Sequence, residues 1–196
     1  PSDLERAAID EACRAGILVV AAAGNSGRLG NTMEYPAGYR HVLAVGAVRA
    51  NGTALLDSTR GPQVAIAAPG KAIWSTSPGR RYRTRTGTSM ASALVSGAAA
   101  RLLSQRPSLR PDQVVEILRR SADDVEPRGR DDATGAGVLN LADALAAGSP
   151  PRDRKSEPDD DPAQVAVNAP LLPAGQYAAQ AIGTLRQWYD PADNYR

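Results

Sequence analysis

Three features of this sequence predict an α/β fold with a parallel sheet. Apolar runs such as Ile17-Leu18-Val19-Val20-Ala21-Ala22-Ala23 are continuous rather than alternating, the pattern of strands buried on both faces. Segments with helical apolar spacing lie before and after those runs. The core must be aliphatic, because aromatics are only 4% of the 196 residues and Phe is absent, while 18 Gly and 15 Pro supply tight turns. Apolar residues make up 42% of the chain, enough for one globular domain with a core of its own.

The elements follow in order. Residues 3–15 carry acids early and Arg14 late around a helical apolar pattern, and Gly16 stops that helix. The first strand run ends in the turn Gly24-Asn25-Ser26-Gly27. Val42-Leu43-Ala44-Val45-Gly46-Ala47-Val48 and Val64-Ala65-Ile66-Ala67 are the next strands, the latter closed by Pro69-Gly70. A basic, polar stretch with Arg80, Arg81, Arg83 and Arg85 precedes Gly87-Thr88-Ser89, which opens a small-residue helix from about Met90 to Gln105. Pro107 and Pro111 break it. A second, amphipathic helix runs from Asp112 to about Ser121, with Val114, Val115, Ile117 and Leu118 on its buried side. Gly135-Ala136-Gly137-Val138-Leu139-Asn140 and a short helix over 141–147 end the globular part, 1–148. Residues 149–162 are almost wholly Pro, Asp, Arg, Lys, Glu and Ser, a disordered linker by composition. In the tail, 163–196, Tyr177, Ala181, Leu185 and Trp188-Tyr189 recur at helical spacing. They suit a short amphipathic helix that packs back on the domain or stays loose, or else a docking motif.

Composition excludes several classes. The net charge is +2, from 23 basic and 21 acidic residues that are interleaved, which argues against nucleic acid as a partner. No run approaches the length of a membrane span. One cysteine, Cys13, allows no internal disulfide, and its apolar helical surroundings suit a small buried residue better than a reactive thiol. No carboxylate cluster has calcium-loop spacing, and neither a metal nor a cofactor is expected.

Two positions carry chemistry. Ser89, at the first turn of a helix, has free backbone N–H groups and the helix dipole to favour the negative charge that forms when a serine attacks. The alternative is a serine that merely caps the helix. Asn25 follows a buried parallel strand, where α/β folds place their sites, and its amide can donate to a developing oxyanion. The alternative is an Asn that tolerates a left-handed turn beside Gly24 and Gly27.

Taken in order, the strand ending in Gly24-Asn25, then Tyr35-Pro36-Ala37, the second strand, Ala68-Pro69-Gly70, Gly87-Thr88-Ser89-Met90-Ala91 and Gly135-Ala136-Gly137-Val138-Leu139-Asn140 resemble the subtilisin-like serine protease family across about residues 5–147. The resemblance implies part of a three-layer, doubly wound, mostly parallel sheet, with Ser89 as nucleophile and Asn25 as oxyanion donor. It also implies that Ala22, Ala23 and Gly24 wall the substrate pocket, with Thr88 touching the substrate as well. The substrate would be a polypeptide, and the protein secreted or extracytoplasmic. Where the family continues with Pro and His after Met90-Ala91, this chain has Ser92-Ala93-Leu94-Val95, positions that shape the helix rather than react.

Neither of the family's upstream segments, Asp-Ser/Thr-Gly and His-Gly-Thr-His, occurs here. The single histidine, His41, leads into the second strand from the end that the resemblance puts opposite the active site. The expectation is therefore the C-terminal half of a catalytic domain, inactive alone, whose main partner is the absent N-terminal half. Two rivals remain: a half-domain that binds without catalysis, and a different α/β hydrolase. A Gly-x-Ser-x-Gly elbow would favour the second, but the pentapeptide here ends in Ala91. A half-sheet would also expose a central strand edge, making the isolated chain poorly soluble or in need of a partner.

Overall fold

The computed structural model describes residues 1–125 and 127–150. The linker from 151 onward and the tail lie outside the described residues. Three strands, β1 (Val19–Ala22), β2 (Val42–Val48) and β3 (Val64–Pro69), form a parallel sheet in the order β1-β2-β3. The helices are α1 (Asp3–Arg14), α2 (Thr88–Gln105), α3 (Pro111–Arg120) and α4 (Leu141–Ala146). The α/β class expected from the sequence is the one observed.

Side chains alternate across the sheet, so Leu43, Val45 and Ala47 of β2 share one face. There they meet Ala91, Val95, Ala98 and Leu102 of α2, Val114, Ile117 and Leu118 of α3, and Ala144 of α4 in one core cluster. Small residues on α2 let its backbone approach the sheet closely. On the opposite face only Ala21, Ala37 and Ala44 form a small buried cluster, with Val42 against it.

Several expectations are corrected at the edge of this sheet. β1 is half-buried rather than covered on both faces, since only Ala21 of its residues is buried. Its outer edge has no partner strand among the described residues, and an open groove runs between Gly16–Val20 and Ser96, Ala99, Ala100 and Leu103 of α2. Helix α1 likewise buries none of its residues. Its N-terminus is held instead by Tyr39, whose hydroxyl accepts from Ser2 N at 2.6 Å and donates to Ser2 O at 3.0 Å.

In α3, Pro111 begins the helix rather than marking the break before it, because the first helical position needs no N–H partner. Val115 is half-buried, while Val114, Ile117 and Leu118 are buried as expected.

The basic stretch holds structure that the sequence reading missed. β4 (Ile73–Ser77) and β5 (Arg81–Arg85) pair as an antiparallel hairpin. No apolar alternation announces it, although Pro78-Gly79-Arg80 between β-forming residues is a turn signal.

Asn140 caps α4. Its Oδ1 accepts from Asp143 N at 3.0 Å, and its Nδ2 donates to Asp123 Oδ1 at 2.9 Å, tying the helix to the loop after α3. Asn140→Ala is expected to lower stability by about 1–2 kcal/mol, a typical cap loss. Urea unfolding of the two proteins side by side would measure it, and a difference near zero would deny Asn140 that role.

Candidate active site

The site forms where the C-terminal end of β1 meets the N-terminus of α2. Beyond Ala22 the chain stays tied to the sheet, with Ala23 N donating to Val45 O and Thr59 N donating to Gly24 O, both at 2.9 Å. Gly24 lies at φ +111°, and a Cβ there would run into Glu34 Oε1 and sit 2.8 Å from Thr59 Oγ1. The positive φ favours glycine, and the Thr59 hydroxyl leaves little room for a side chain. The next residue is Asn25, whose backbone N–H donates to Glu34 Oε1 at 3.1 Å. Ser26 N donates to Thr59 Oγ1, also at 3.1 Å. Glu34 and Thr59 thus brace the turn that presents Asn25.

The Asn25 side chain is held at one end only. Its Oδ1 accepts from the backbone N–H of Thr88 at 3.0 Å, and Thr88 Oγ1 lies 3.3 Å away. A backbone N–H can only donate, so the bonded end of the amide is the carbonyl and Nδ2 is the other end. No partner engages Nδ2 among the described residues, and Asn25 is exposed. Asn25 is also not one of the non-glycine residues with positive φ, which are Asn31, His41, Ala72 and Arg80. Tolerance of a left-handed turn therefore does not explain the residue.

Helix α2 begins at Thr88, with Gly87 as its N-cap at φ +148°. A Cβ on Gly87 would sit 3.2 Å from Asn25 Oδ1, so this second glycine lets the helix start press against the amide. Ser89 is the second residue of the helix, not its cap, and is exposed. The capping alternative for Ser89 is thereby removed. Of the first-turn N–H groups, Thr88 N donates to Asn25 Oδ1 and Met90 N donates to Gly87 O at 3.1 Å. Ser89 N is therefore the one without a partner among the described residues, and with the helix dipole it makes the position favourable to an anion. Gly87 N donates to Gly70 O at 2.9 Å, fixing the start of α2 to the end of β3.

The four residues expected to line the substrate pocket differ in access. Ala22 is half-buried, whereas Ala23, Gly24 and Thr88 are buried. Thr88 is 0% exposed, and its hydroxyl is engaged with Gly24 N at 3.3 Å and Gly24 O at 3.2 Å. A side chain enclosed in this way has no surface to offer a peptide. Its position ties the turn after β1 to the start of α2, a link between residues 64 apart in sequence that their spacing does not announce.

His41 lies at the other end of the sheet. β1 and β2 are parallel with Val19 opposite Val42, so His41 enters where the strands begin and Asn25 follows where β1 ends. At about 3.3 Å per residue the two ends are roughly 20 Å apart. Cys13 is half-buried beside it, its Sγ 3.8 Å from His41 O. Burial, then the nearby Asp10 charge, pushes the thiol pKa up, which disfavours the reactive thiolate. Among the described residues no group of three or more His, Cys, Asp or Glu side chains could hold a metal ion. No helix among them is long and apolar enough to cross a membrane.

Known proteins resemble this chain in sequence and in fold. Subtilisin DY from Bacillus licheniformis is 44% identical over 136 residues, covering 68% of this chain and 48% of that protein. The thermostable alkaline protease of Halalkalibacterium halodurans is 45% identical over 115 residues, 59% of this chain and 31% of that one. Among solved structures, fervidolysin from Fervidobacterium pennivorans, a keratinolytic enzyme related to subtilisin, superposes with a TM-score of 0.69 at 31% identity, over 78% of this chain and 26% of its own. The self-cleaved protease domain of PatA gives 0.67 at 33% identity, over 74% and 55%. The chain spans about half, or less, of the length of the curated relatives it matches. Residues 1–137 match the profile of the subtilase family, and with this sheet and site the chain belongs to that family.

Proposed function

We propose that this chain carries the nucleophile and oxyanion hole of a serine endopeptidase, and that its histidine base and orienting aspartate lie on polypeptide outside these 196 residues. The observation that carries the reading is the one-ended anchoring of Asn25. With Oδ1 held by Thr88 N, the amide hydrogens of Nδ2 are presented beside the helix turn that exposes Ser89.

In this mechanism Ser89 Oγ attacks the carbonyl carbon of a peptide bond and passes its proton to the histidine. The carbonyl oxygen becomes an oxyanion, met by Asn25 Nδ2 and the backbone N–H of Ser89 at the first turn of α2. Collapse expels the amine with the proton from the histidine, leaving an acyl ester on Ser89 that water then hydrolyses. Ala22 supplies the side-chain part of a pocket wall whose remainder is backbone. Thr88 positions the amide. The single histidine of the chain, His41, is too distant to act as the base. The open groove beside β1 supports a further segment of the same domain packing there. An extracytoplasmic location belongs to the same proposal and rests on the family alone.

A fluorophosphonate probe, which labels an activated serine, provides the test. The 196-residue chain alone should remain unlabelled, whereas a longer protein that includes the Asp and His segments should be labelled, and Ser89→Ala should abolish the label. Rapid peptide cleavage by the short chain, lost in Ser89→Ala, would show that the base is within it. Persistent labelling of the longer Ser89→Ala protein would remove Ser89 as the nucleophile.

A further inference from the structure

The β4–β5 hairpin rises directly from the segment that bears Ser89. Ala72 N, ahead of β4, donates to Thr86 Oγ1 at 3.1 Å, and Gly87 N donates to Gly70 O at 2.9 Å. Both ends of the hairpin are thus pinned to the start of α2. Its register places Ile73 opposite Arg85, Ser75 opposite Arg83 and Ser77 opposite Arg81 on one face. The other face holds Trp74 and Tyr82, 67% and 59% exposed, stacked on each other with ring centroids 5.8 Å apart. All of β5 is exposed. Among the described residues, none of Arg81, Arg83 and Arg85 is ion-paired.

Three guanidinium groups without an ion pair thus stand at every second position of one strand, in a chain whose net charge is only +2. Along one face of a strand they recur about every 7 Å, which is also the spacing of alternate side chains in an extended peptide. An extended peptide laid along this face therefore meets one cation at every second residue. A nucleic-acid strand is the poorer fit, because the stacking aromatics and the arginines are on opposite faces and one strand cannot use both.

We propose that the Arg81-Arg83-Arg85 face binds acidic polypeptide, so that the site selects substrates with Asp or Glu at alternate positions on one side of the scissile bond. As a statement about substrate this rests on the reading of Ser89 as the attacking group. The arginine nearest the nucleophile, Arg85, is four residues from it, so the selected acids begin within a few residues of the cleaved bond. Arg fits this task better than Lys, since its planar fork takes a carboxylate through two hydrogen bonds.

The test uses the full-length protein carrying Ser89→Ala, so that peptides bind without being cut. Fluorescein-labelled peptides of alternating Glu and Ala, and of Gln and Ala, are compared by fluorescence anisotropy at low and high salt. The Glu peptide should bind about tenfold more tightly at low salt and lose that advantage at high salt. Arg83→Gln should cost about two- to fivefold, and changing all three arginines to Gln should abolish the preference, while changing all three to Lys should retain only part of it, the charge without the two-bond geometry. These side chains are exposed, so the substitutions do not threaten folding. Equal binding of the Glu and Gln peptides, a preference that survives in the triple Gln protein, or tighter binding of an oligothymidylate would overturn the proposal. Because binding is read without cleavage, loss of the Glu preference overturns this proposal alone. Failure of Ser89 labelling in the longer protein overturns the peptidase reading alone.

Discussion

In a protein that contains the whole catalytic domain, Ser89→Ala is expected to lower kcat by about 10⁶-fold, with the fold unchanged. That magnitude was established on a subtilisin and is carried over from a relative rather than derived from this chain. The physical reason lies in what the hydroxyl does here. Ser89 is exposed at the second position of α2, and its Oγ makes no hydrogen bond among the described residues. Removing the oxygen therefore costs no structural contact, and an exposed change of this kind usually stays within about 0.5 kcal/mol in stability. A residue that matters only to packing would show the reverse pattern. The measurement is kcat on a chromogenic peptide alongside a denaturation curve. A loss below about a hundredfold would mean that another group attacks.

Asn25→Ala is expected to lower kcat by about 10²–10³-fold, or about 2.7–4 kcal/mol, with KM nearly unchanged. This range also comes from a subtilisin. KM is spared because the negative charge that Nδ2 meets exists only after attack, so the contact strengthens toward the transition state. Asn25→Ala also leaves Thr88 N without its acceptor, at a cost of about 1 kcal/mol in stability. Asn25→Asp separates the two effects. A carboxylate still accepts from Thr88 N, and the positive end of α2 favours its charge, so stability should hold. The donor, however, is replaced by a negative group facing the oxyanion, so kcat should fall at least as far as in Asn25→Ala. An Asn25→Asp protein that kept most of its kcat would show that Asn25 acts through its bond to Thr88 and not as a donor.

Much of the fold was legible along the chain. Val42–Val48 reads as an unbroken apolar run and is a strand over those residues, because it lies between two others and is covered on both faces. Val114, Ile117 and Leu118 recur at helical spacing and are buried together. The β1 run looks equally apolar yet is half-buried, since periodicity reports what a strand can bury and not what lies beside it. The β4–β5 hairpin gave no apolar signal because both of its faces meet solvent. Ser89 and Asn25 were legible because each sits in a short local pattern. Glu34 was not, for it reaches Asn25 N from nine residues away in an irregular loop.

The sequence by itself determined the α/β class, the family likeness, the nucleophile and amide candidates, and the presence of a single histidine. All of these follow from local periodicity or from residue identity, which the chain carries without folding. Tertiary structure decided which way the Asn25 amide points, because the deciding donor, Thr88 N, is 63 residues distant. It also decided that Thr88 is a brace and not a contact surface, that His41 and Asn25 occupy opposite ends of the sheet, and that three arginines share one face. Each of these depends on strand register and on packing between distant segments, and only the folded chain sets those.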